Sequence, residues 1–149
     1  SKSTPYLVDR VRMRLGASIT QSLVSPDGKL YVGIFDSQSE DALRAFVTRS
    51  ETEVALAPDL TTAQNLVTQL QRVMQTHQGE GRAPAIIVPP DLRYPIQHFA
   101  LRFVAGLYVI SQREIPPRVD VTSNLSLTLF PGRGVQTPGM GTRASQNNF

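Results

Sequence analysis

Residues 82–117 read RAPAIIVPPDLRYPIQHFALRFVAGLYVISQREIPP, and they predict a complete structural unit. An apolar run at residues 85–88 has the length and β-branching of a buried strand, and a second run occupies residues 107–110. A Pro-Pro-Asp break and then a helical pattern lie between the two runs. Strand, helix and strand within about 30 residues are typical of a βαβ crossover, which predicts two parallel strands with a right-handed connection.

The helix of this crossover is predicted over residues 91–105. Asp91 is the expected N-cap, because its carboxylate can accept hydrogen bonds from the free N–H groups of the first turn. Pro95 falls in the first turn, where an N–H has no partner within the helix. Gly106 stands where a left-handed C-cap is expected. Steps of three and four residues draw one apolar stripe, which comprises Leu92, Ile96, Phe99, Ala100, Phe103 and Val104.

The remaining sequence predicts further helices and strands around this unit. Apolar residues keep helical spacing over residues 6–23, 38–49 and 59–78. Strand patterns cover residues 30–35 and 53–57, and also residues 119–130 as one strand or as two broken near Ser123 and Asn124. We therefore expect an α/β fold with a small mixed sheet of about four strands, the βαβ crossover, flanking helices, an N-terminal helix and an extended C-terminal tail.

Two residue pairs have the spacing of a helix capping box. Ser37 and Glu40 stand before the helix at 38–49, and Thr61 and Gln64 stand at the start of the helix at 59–78. In such a box the hydroxyl caps the N–H three residues on, and the acidic or amide side chain reaches back. The last strand has a separate consequence, because residues 118–130 could pair with a partner's strand if they form a sheet edge.

The composition divides the chain into three parts. Residues 1–23 form an N-terminal helix that would link to a preceding subdomain, and residues 24–130 form the α/β subdomain. Residues 131–149 are a tail with four glycines, two prolines and few apolar residues. Two interpretations of the tail stay open. It is a disordered appendage, or it docks onto a neighbouring subunit through its isolated apolar residues.

Length, composition and charge limit the class of protein. The 149 residues, 40% hydrophobic and 18% charged, indicate a globular chain, and the absence of cysteine excludes disulfides and thiolate metal sites. No signal-peptide pattern is seen at the start, so we expect none, and no apolar run is near the ~20 residues that span a bilayer. The net charge of +3 leaves a basic nucleic-acid-binding α/β module as the alternative function, although such binders usually show a denser basic stripe. That alternative would use Arg10, Arg12, Arg14, Arg133 and Arg143.

The residues that could carry chemistry do not form a catalytic or metal-binding motif. His77 and His98 each lack a second ligand at helical spacing. The carboxylates of Asp36, Glu40 and Asp41 flank a predicted helix start, where negative charge is stabilised without any catalytic role. A small hydrolase that uses Asp36 and Glu40 is a second alternative. We expect no catalytic residue, no metal site and no cofactor, and hence no enzyme.

Three segments, in this order, resemble the end of the cytoplasmic domain of the major export-gate protein of type III secretion, of the flagellar FlhA and injectisome SctV types. They are VDRVRMRLGASITQSL at residues 8–23, GKLYVGIFDSQSEDAL at residues 28–43, and the segment 82–117. The resemblance covers roughly residues 7–125. The residues of the third segment that match the family are Pro84, Pro90, Leu92, Arg93, Pro95, Phe99, Leu107, Val109, Ser111, Glu114, Ile115 and Pro116.

The resemblance implies a non-enzymatic subdomain at the cytoplasmic side of the bacterial inner membrane, as a fragment or a stand-alone relative of a membrane-anchored parent, with this chain itself soluble. It implies a homo-oligomeric ring, nonameric in the family, whose partners are export chaperones, their substrates and other proteins of the secretion apparatus. No nucleic-acid partner is implied. The candidate protein contacts are the residues of these segments that we expect at the surface, namely Arg93, Tyr94, Gln112, Arg113 and Glu114.

Overall fold

The computed structural model describes residues 19–131 of the chain. The predicted helix over residues 6–23 lies largely outside this range, and residues 19–23 are helical. The elements that follow are β1 (Lys29–Phe35), α1 (Ser37–Ala45), β2 (Val47–Arg49), β3 (Val54–Leu56), α2 (Leu60–Gly79), β4 (Ala85–Val88), α3 (Pro90–Phe103), β5 (Tyr108–Ser111), a 3₁₀ turn (Gln112–Glu114) and β6 (Asp120–Leu127).

Four strands form one sheet in the order β5-β4-β1-β6, and every neighbouring pair is parallel. β4 and β5 pair from Ala85 opposite Tyr108 to Val88 opposite Ser111, with α3 between them in the chain, which confirms the predicted crossover. Antiparallel pairing within residues 19–131 is confined to the separate hairpin of β2 and β3. The α/β class and the four-stranded sheet are confirmed. The sheet is parallel throughout rather than mixed, and β4 in its centre is buried along its whole length, as is typical of parallel sheets.

The two faces of the sheet carry separate apolar clusters. Leu30 and Val32 of β1 belong to one cluster, and Phe35 of the same strand belongs to the other, as the alternation of a strand requires. The face that includes Phe35 is covered by helices, which contribute fully buried residues such as Leu43 from α1 and Leu66 from α2. This helical layer holds the larger part of the described core.

The second face is covered by one short helical segment and a loop. The helical residues 19–23 pack there together with the link between β5 and β6, which contributes Ile115 and Val119. This link contains no α-helix, and its two prolines favour an extended path back across the sheet. The Thr20 hydroxyl donates to the carbonyl oxygen of Glu114 at 3.0 Å, which joins the two pieces of this layer in a buried position.

Gly33 occupies the middle of the sheet, where β1 pairs with both β4 and β6. A Cβ built on it would lie 3.1 Å from Leu127 Cδ1 and 3.1 Å from Val73 Cγ2. A larger residue at position 33 would therefore require the side chains of Leu127 and Val73 to shift. Gly106 has a positive φ of 92°, but it is not the predicted C-cap, because α3 ends at Phe103 and Val104 is its C-cap.

The predicted helix starts need correction. Asp36, not Ser37, is the N-cap of α1, and its carboxylate accepts from the Ser39 N–H at 2.9 Å. Likewise Asp59 caps α2 by accepting from the Thr62 N–H at 2.8 Å. An aspartate one or two residues before the predicted cap already provides the oxygen, so neither capping box forms. Asp91 is not a cap either, because α3 begins at Pro90, one residue earlier than the predicted N-cap.

Two helix ends also differ from the prediction. The helix expected over residues 38–49 ends at Ala45, because Val47–Arg49 pairs with β3 as a strand. Phe103, which the apolar stripe assigned to the core, is 49% exposed. It is the last residue of α3, and its ring lies 4.8 Å from the Phe99 ring instead of inserting beneath the helix.

Replacing Gly33 with valine should lower the free energy of unfolding by about 1–3 kcal/mol, since overpacking a dense core costs this much. Urea denaturation followed by circular dichroism measures the change. Gly79→Ala is the matched control, because a Cβ on Gly79 meets no atom within 4 Å. Equal stability of the Gly33→Val variant and the unmodified chain would contradict the close packing around β1.

Replacing Asp36 with alanine should cost about 1 kcal/mol of stability, the usual value of an N-cap side chain. Ser37→Ala, one residue further along, should cost much less, because the Ser39 N–H bonds to Asp36. Denaturation curves of the two variants compare the neighbours directly. A larger loss for Ser37→Ala would restore the capping box that the sequence predicted.

Candidate functional site

A shallow groove of about 510 Å³ lies between the solvent side of α3 and the start of β5. Its apolar surface includes Leu101, which is 63% exposed, and Tyr108, which is 44% exposed. Tyr94 extends this surface and stacks on the His98 ring with 5.9 Å between ring centroids. The groove is lined by Arg93, Tyr94, Gln97, Leu101, Gly106, Leu107 and Tyr108.

The structure divides the five predicted contact residues between two places. Arg93 and Tyr94 line the groove at α3, whereas Gln112, Arg113 and Glu114 form the 3₁₀ turn that follows the far end of β5. Tyr94 is half-buried, and Gln112 and Arg113 are exposed. The groove lies at the start of β5 and the 3₁₀ turn follows its end. The two places are thus at opposite ends of one edge strand, so a single large partner could contact both.

Arg93 and Glu114 are not surface residues as the sequence analysis expected. Arg93 is 2% exposed and Glu114 is 4% exposed. The Glu114 carboxylate accepts from the Ser111 N–H at 2.8 Å, which fixes the 3₁₀ turn at the end of β5. Arg93 lines the groove and is nevertheless almost fully buried. Both charged residues are therefore part of the packed structure.

Sequence reasoning missed the two most exposed apolar residues of the groove. Leu101 lies off the apolar stripe of α3, and this was the available signal, because a large aliphatic residue on the polar side of a helix is exposed. Tyr108 gave no such signal. It begins a strand whose other residues are buried, and its exposure follows from the edge position of β5.

The carboxyl ends of β1 and β6 are where a doubly wound parallel sheet would bind a ligand, because the strand order reverses there. In this chain the crevice is filled by its own polar groups. The Asp36 N–H donates to the carbonyl oxygen of Leu127 at 3.0 Å. The buried Ser39 hydroxyl accepts from the Leu129 N–H at 2.7 Å. These groups hold the loop after β6 against α1 and offer no cradle for a phosphate.

His77 is fully buried at the last turn of α2. Its Nε2 lies 3.0 Å from the side-chain oxygen of Asn124 in β6. Its Nδ1 accepts from the Ala85 N–H at 3.4 Å and lies 3.3 Å from the Ala83 oxygen. Both ring nitrogens are thus occupied by structural partners that join α2, β4 and β6.

The carboxylates around the start of α1 likewise serve the structure. Asp36 is the cap, and Asp41 pairs with Arg44 at 3.0 Å. Burial raises the pKa of Glu40, and Arg44 opposes that shift. Arg44 also reaches across to α3, where its Nε donates to Asp91 Oδ2 at 2.7 Å and its Nη2 donates to Oδ1 at 3.4 Å. These hydrogen bonds lower the pKa of Asp91.

Searches for other kinds of site were confined to residues 19–131. No group of three or more histidine and acidic side chains in that range could hold a metal ion. None of the helices there is long and apolar enough to cross a bilayer. The arginines of the nucleic-acid alternative, Arg10, Arg12, Arg14, Arg133 and Arg143, lie outside the described residues.

The described residues thus form an α/β scaffold whose chemically active side chains hold its elements together. A family model, described as the FHIPEP family, matches residues 1–120 of the chain. The chain belongs to this family, which provides the export gate of type III secretion, and the predicted kinship with the C-terminal subdomain of FlhA and SctV proteins is confirmed. Members of this family are components of protein-transport systems.

Individual relatives agree with this membership. LfhA of Escherichia coli O44:H18 (strain 042 / EAEC), a candidate flagellar export/assembly protein, is 28% identical over 126 residues, which cover 81% of this chain and 18% of LfhA. The chain therefore spans less than a fifth of that relative's length.

Solved structures share the fold. CdsV of Chlamydia pneumoniae superimposes with a TM-score of 0.72 at 19% identity, over 85% of this chain and 36% of CdsV. CdsV in the structure of its complex with CdsO gives 0.68 at 20% identity, over 85% and 37%. The nonameric SctV-C of EPEC gives 0.70 at 17% identity, over 85% of this chain and 38% of SctV-C.

The Arg44–Asp91 pair should make stability depend on pH in the acid range. Because Arg44 lowers the folded-state pKa of Asp91, the stabilisation is present above the unfolded pKa of about 3.9 and is lost as pH falls through the folded value. Asp91→Asn should remove this dependence and cost less than about 1 kcal/mol at neutral pH, since the pair is partly solvated.

Urea denaturation at several pH values between about 3 and about 7 measures the effect. Glu40→Gln serves as the opposite control. Burial raises the pKa of Glu40, so its unfavourable contribution is present above the folded pKa and disappears as pH falls below the unfolded pKa. Parallel pH profiles for Asp91→Asn and the unmodified chain would show that the pair does not stabilise the fold.

Proposed function

We propose that this chain is a non-enzymatic cytoplasmic subdomain of a type III protein-export gate, which assembles in a ring and helps to dock export chaperones with their substrates. The observation that carries the proposal is membership of the FHIPEP family over residues 1–120. LfhA is a candidate flagellar export/assembly protein, and SctV-C of EPEC is a nonamer. These relatives support a role in assembly and export.

The proposal includes a parent protein in the bacterial inner membrane, with this subdomain on the cytoplasmic side. The support is the family itself, whose gate proteins hold their cytoplasmic domains beneath the export channel. Other proteins of the secretion apparatus are proposed as partners, because CdsV has been solved in complex with CdsO. The bonding of Asp36, Ser39 and His77 within the fold is in keeping with a role through protein contacts.

Tyr94, Gln112 and Arg113 are the predicted contact residues that reach the surface. The proposal therefore assigns docking to these three and treats Arg93 and Glu114 as structural. Tyrosine and arginine are favoured at protein interfaces because they combine a large contact area with a polar end. The exposed Leu101 and Tyr108 lie beside Tyr94 and would add apolar area to the same contact.

Replacing Tyr94, Gln112 and Arg113 together with alanine, in the complete export gate, should reduce export and the capture of chaperone–substrate complexes by about tenfold or more, as loss of interface anchors does. The melting temperature of the isolated chain should change little, because Gln112 and Arg113 are exposed and Tyr94 is only half-buried. Export is measured as secreted substrate, and capture by pull-down with purified chaperone–substrate complexes of the same host.

The matched control replaces Gln71, Gln75 and Gln78 with alanine, since these polar residues of α2 are also exposed. Normal export by both triple variants would remove the proposed contact set. Binding of duplex DNA that weakens steeply as salt rises would instead favour the nucleic-acid alternative.

A further inference from the structure

Three polar side chains of α2 bind the main chain at the end of β6 and in the two residues that follow it. Asn65, Gln69 and Arg72 are spaced four and three residues apart, so they share one face of the helix. Arg72 Nη1 donates to the carbonyl oxygen of Ser126 at 2.8 Å. Gln69 Oε1 accepts from the Thr128 N–H at 3.4 Å, and Asn65 Nδ2 donates to the carbonyl oxygen of Leu129 at 3.2 Å.

The main-chain groups that they bind include those on the outer edge of β6. The carbonyl oxygen of Leu127 accepts from the Asp36 N–H, so residue 127 points toward β1. Because successive residues of a strand alternate, Ser126 and Thr128 point away from β1. Among the described strands β6 is at one end of the sheet, so these outward groups stand where another strand would pair.

Two of these side chains also bind each other. Arg72 Nη1 lies 3.3 Å from Gln69 Oε1, which fixes both side chains in the positions that reach β6. The helix does not depend on the polar side chains for its place, because Leu66, Leu70 and Val73 anchor it on the sheet with no exposed surface. The polar side chains can therefore be altered while the packing of α2 stays intact.

We infer that Gln69 and Arg72 are an edge guard, which closes the carboxyl-terminal part of β6 to strand addition, while Asn65 holds the chain just beyond the strand at Leu129. Unpaired main-chain groups at a sheet edge favour pairing with another chain, and proteins cover such edges to avoid it. The strand that the guard excludes is an extended segment, in the first instance β6 of a second copy of this chain. The predicted pairing of residues 118–130 with a partner's strand is thus restricted at residues 126–128.

The test removes the guard and measures self-association. Gln69→Ala with Arg72→Met removes both polar groups of the guard and retains the apolar stem of Arg72. Analytical ultracentrifugation should then show a mass that rises with concentration toward about twofold, as a symmetric dimer requires. The unmodified chain and Gln71→Ala, an exposed glutamine of the same helix, should show no such rise.

A second measurement addresses the edge itself. Hydrogen exchange at the Thr128 amide should become faster in Gln69→Ala alone, because that amide loses its acceptor. Adding Ser126→Lys to the double variant should abolish the association, since a lysine on a strand edge opposes pairing. The Ser126 side chain is exposed, so this change leaves the core unaltered.

The outcomes separate the guard from a purely structural role. A double variant that melts earlier but keeps its unmodified mass at every concentration, with unchanged Thr128 exchange, overturns the inference. Association that survives Ser126→Lys also overturns it, because the contact would then lie elsewhere. Both results leave the proposed export role untouched, since that role depends on Tyr94, Gln112 and Arg113.

Discussion

The domain depends on burial of both faces of a parallel sheet. A parallel sheet is stable only when both of its faces are covered, because its strands carry apolar side chains on both faces. Here three helices cover one face, and the other is covered by residues 19–24 together with the proline-containing link from β5 to β6. Gly33 shows how close this packing is, because a Cβ built on it would lie 3.1 Å from side-chain atoms of both α2 and β6.

Most side chains that suggest chemistry are used to hold this arrangement. Asp36 caps α1, Ser39 holds the chain after β6, and His77 joins α2 to β6. Glu114 fixes the turn that begins the second-face link. A buried polar group that lost such a partner would cost roughly 1–3 kcal/mol, so these residues are under strong structural constraint. Their contacts explain why residue types that suggest acid–base or metal chemistry occur here without forming such a site.

The sequence predicted the parts of the fold that follow from local pattern. The strand at residues 85–88 and the crossover appear as expected, because a short β-branched run between turn signals has few alternatives. The helix caps were displaced, because Asp36 and Asp59 compete with the predicted serine and threonine and only coordinates show which oxygen is in reach. The parallel course of β6 was equally hidden, since its crossover is an extended link with no helical pattern.

The candidate site was predicted less well than the fold, for a physical reason. Arg93 and Glu114 are charged, and charged residues are rarely buried, so the sequence placed both at the surface. The signal for Glu114 was local and was missed, because Ser111 and Glu114 have the spacing of a capping box, and the carboxylate does accept from the Ser111 N–H. Arg93 carried no comparable local signal. Leu101 is the opposite case. Its position among polar residues of α3 indicated that it is exposed, whereas its hydrophobicity alone would place it in the core.

The proposed edge guard and the apolar groove fit one requirement of the proposed ring assembly. A protein that assembles in copies must accept the correct neighbour and refuse indiscriminate strand pairing. Main-chain pairing is nearly independent of sequence, so an open strand edge would accept many extended segments. A groove with Tyr94, Leu101 and Tyr108 instead selects by shape and by apolar area. On this proposal, the α2 side chains that bind the outward groups of β6 direct association toward surfaces where side chains decide the partner.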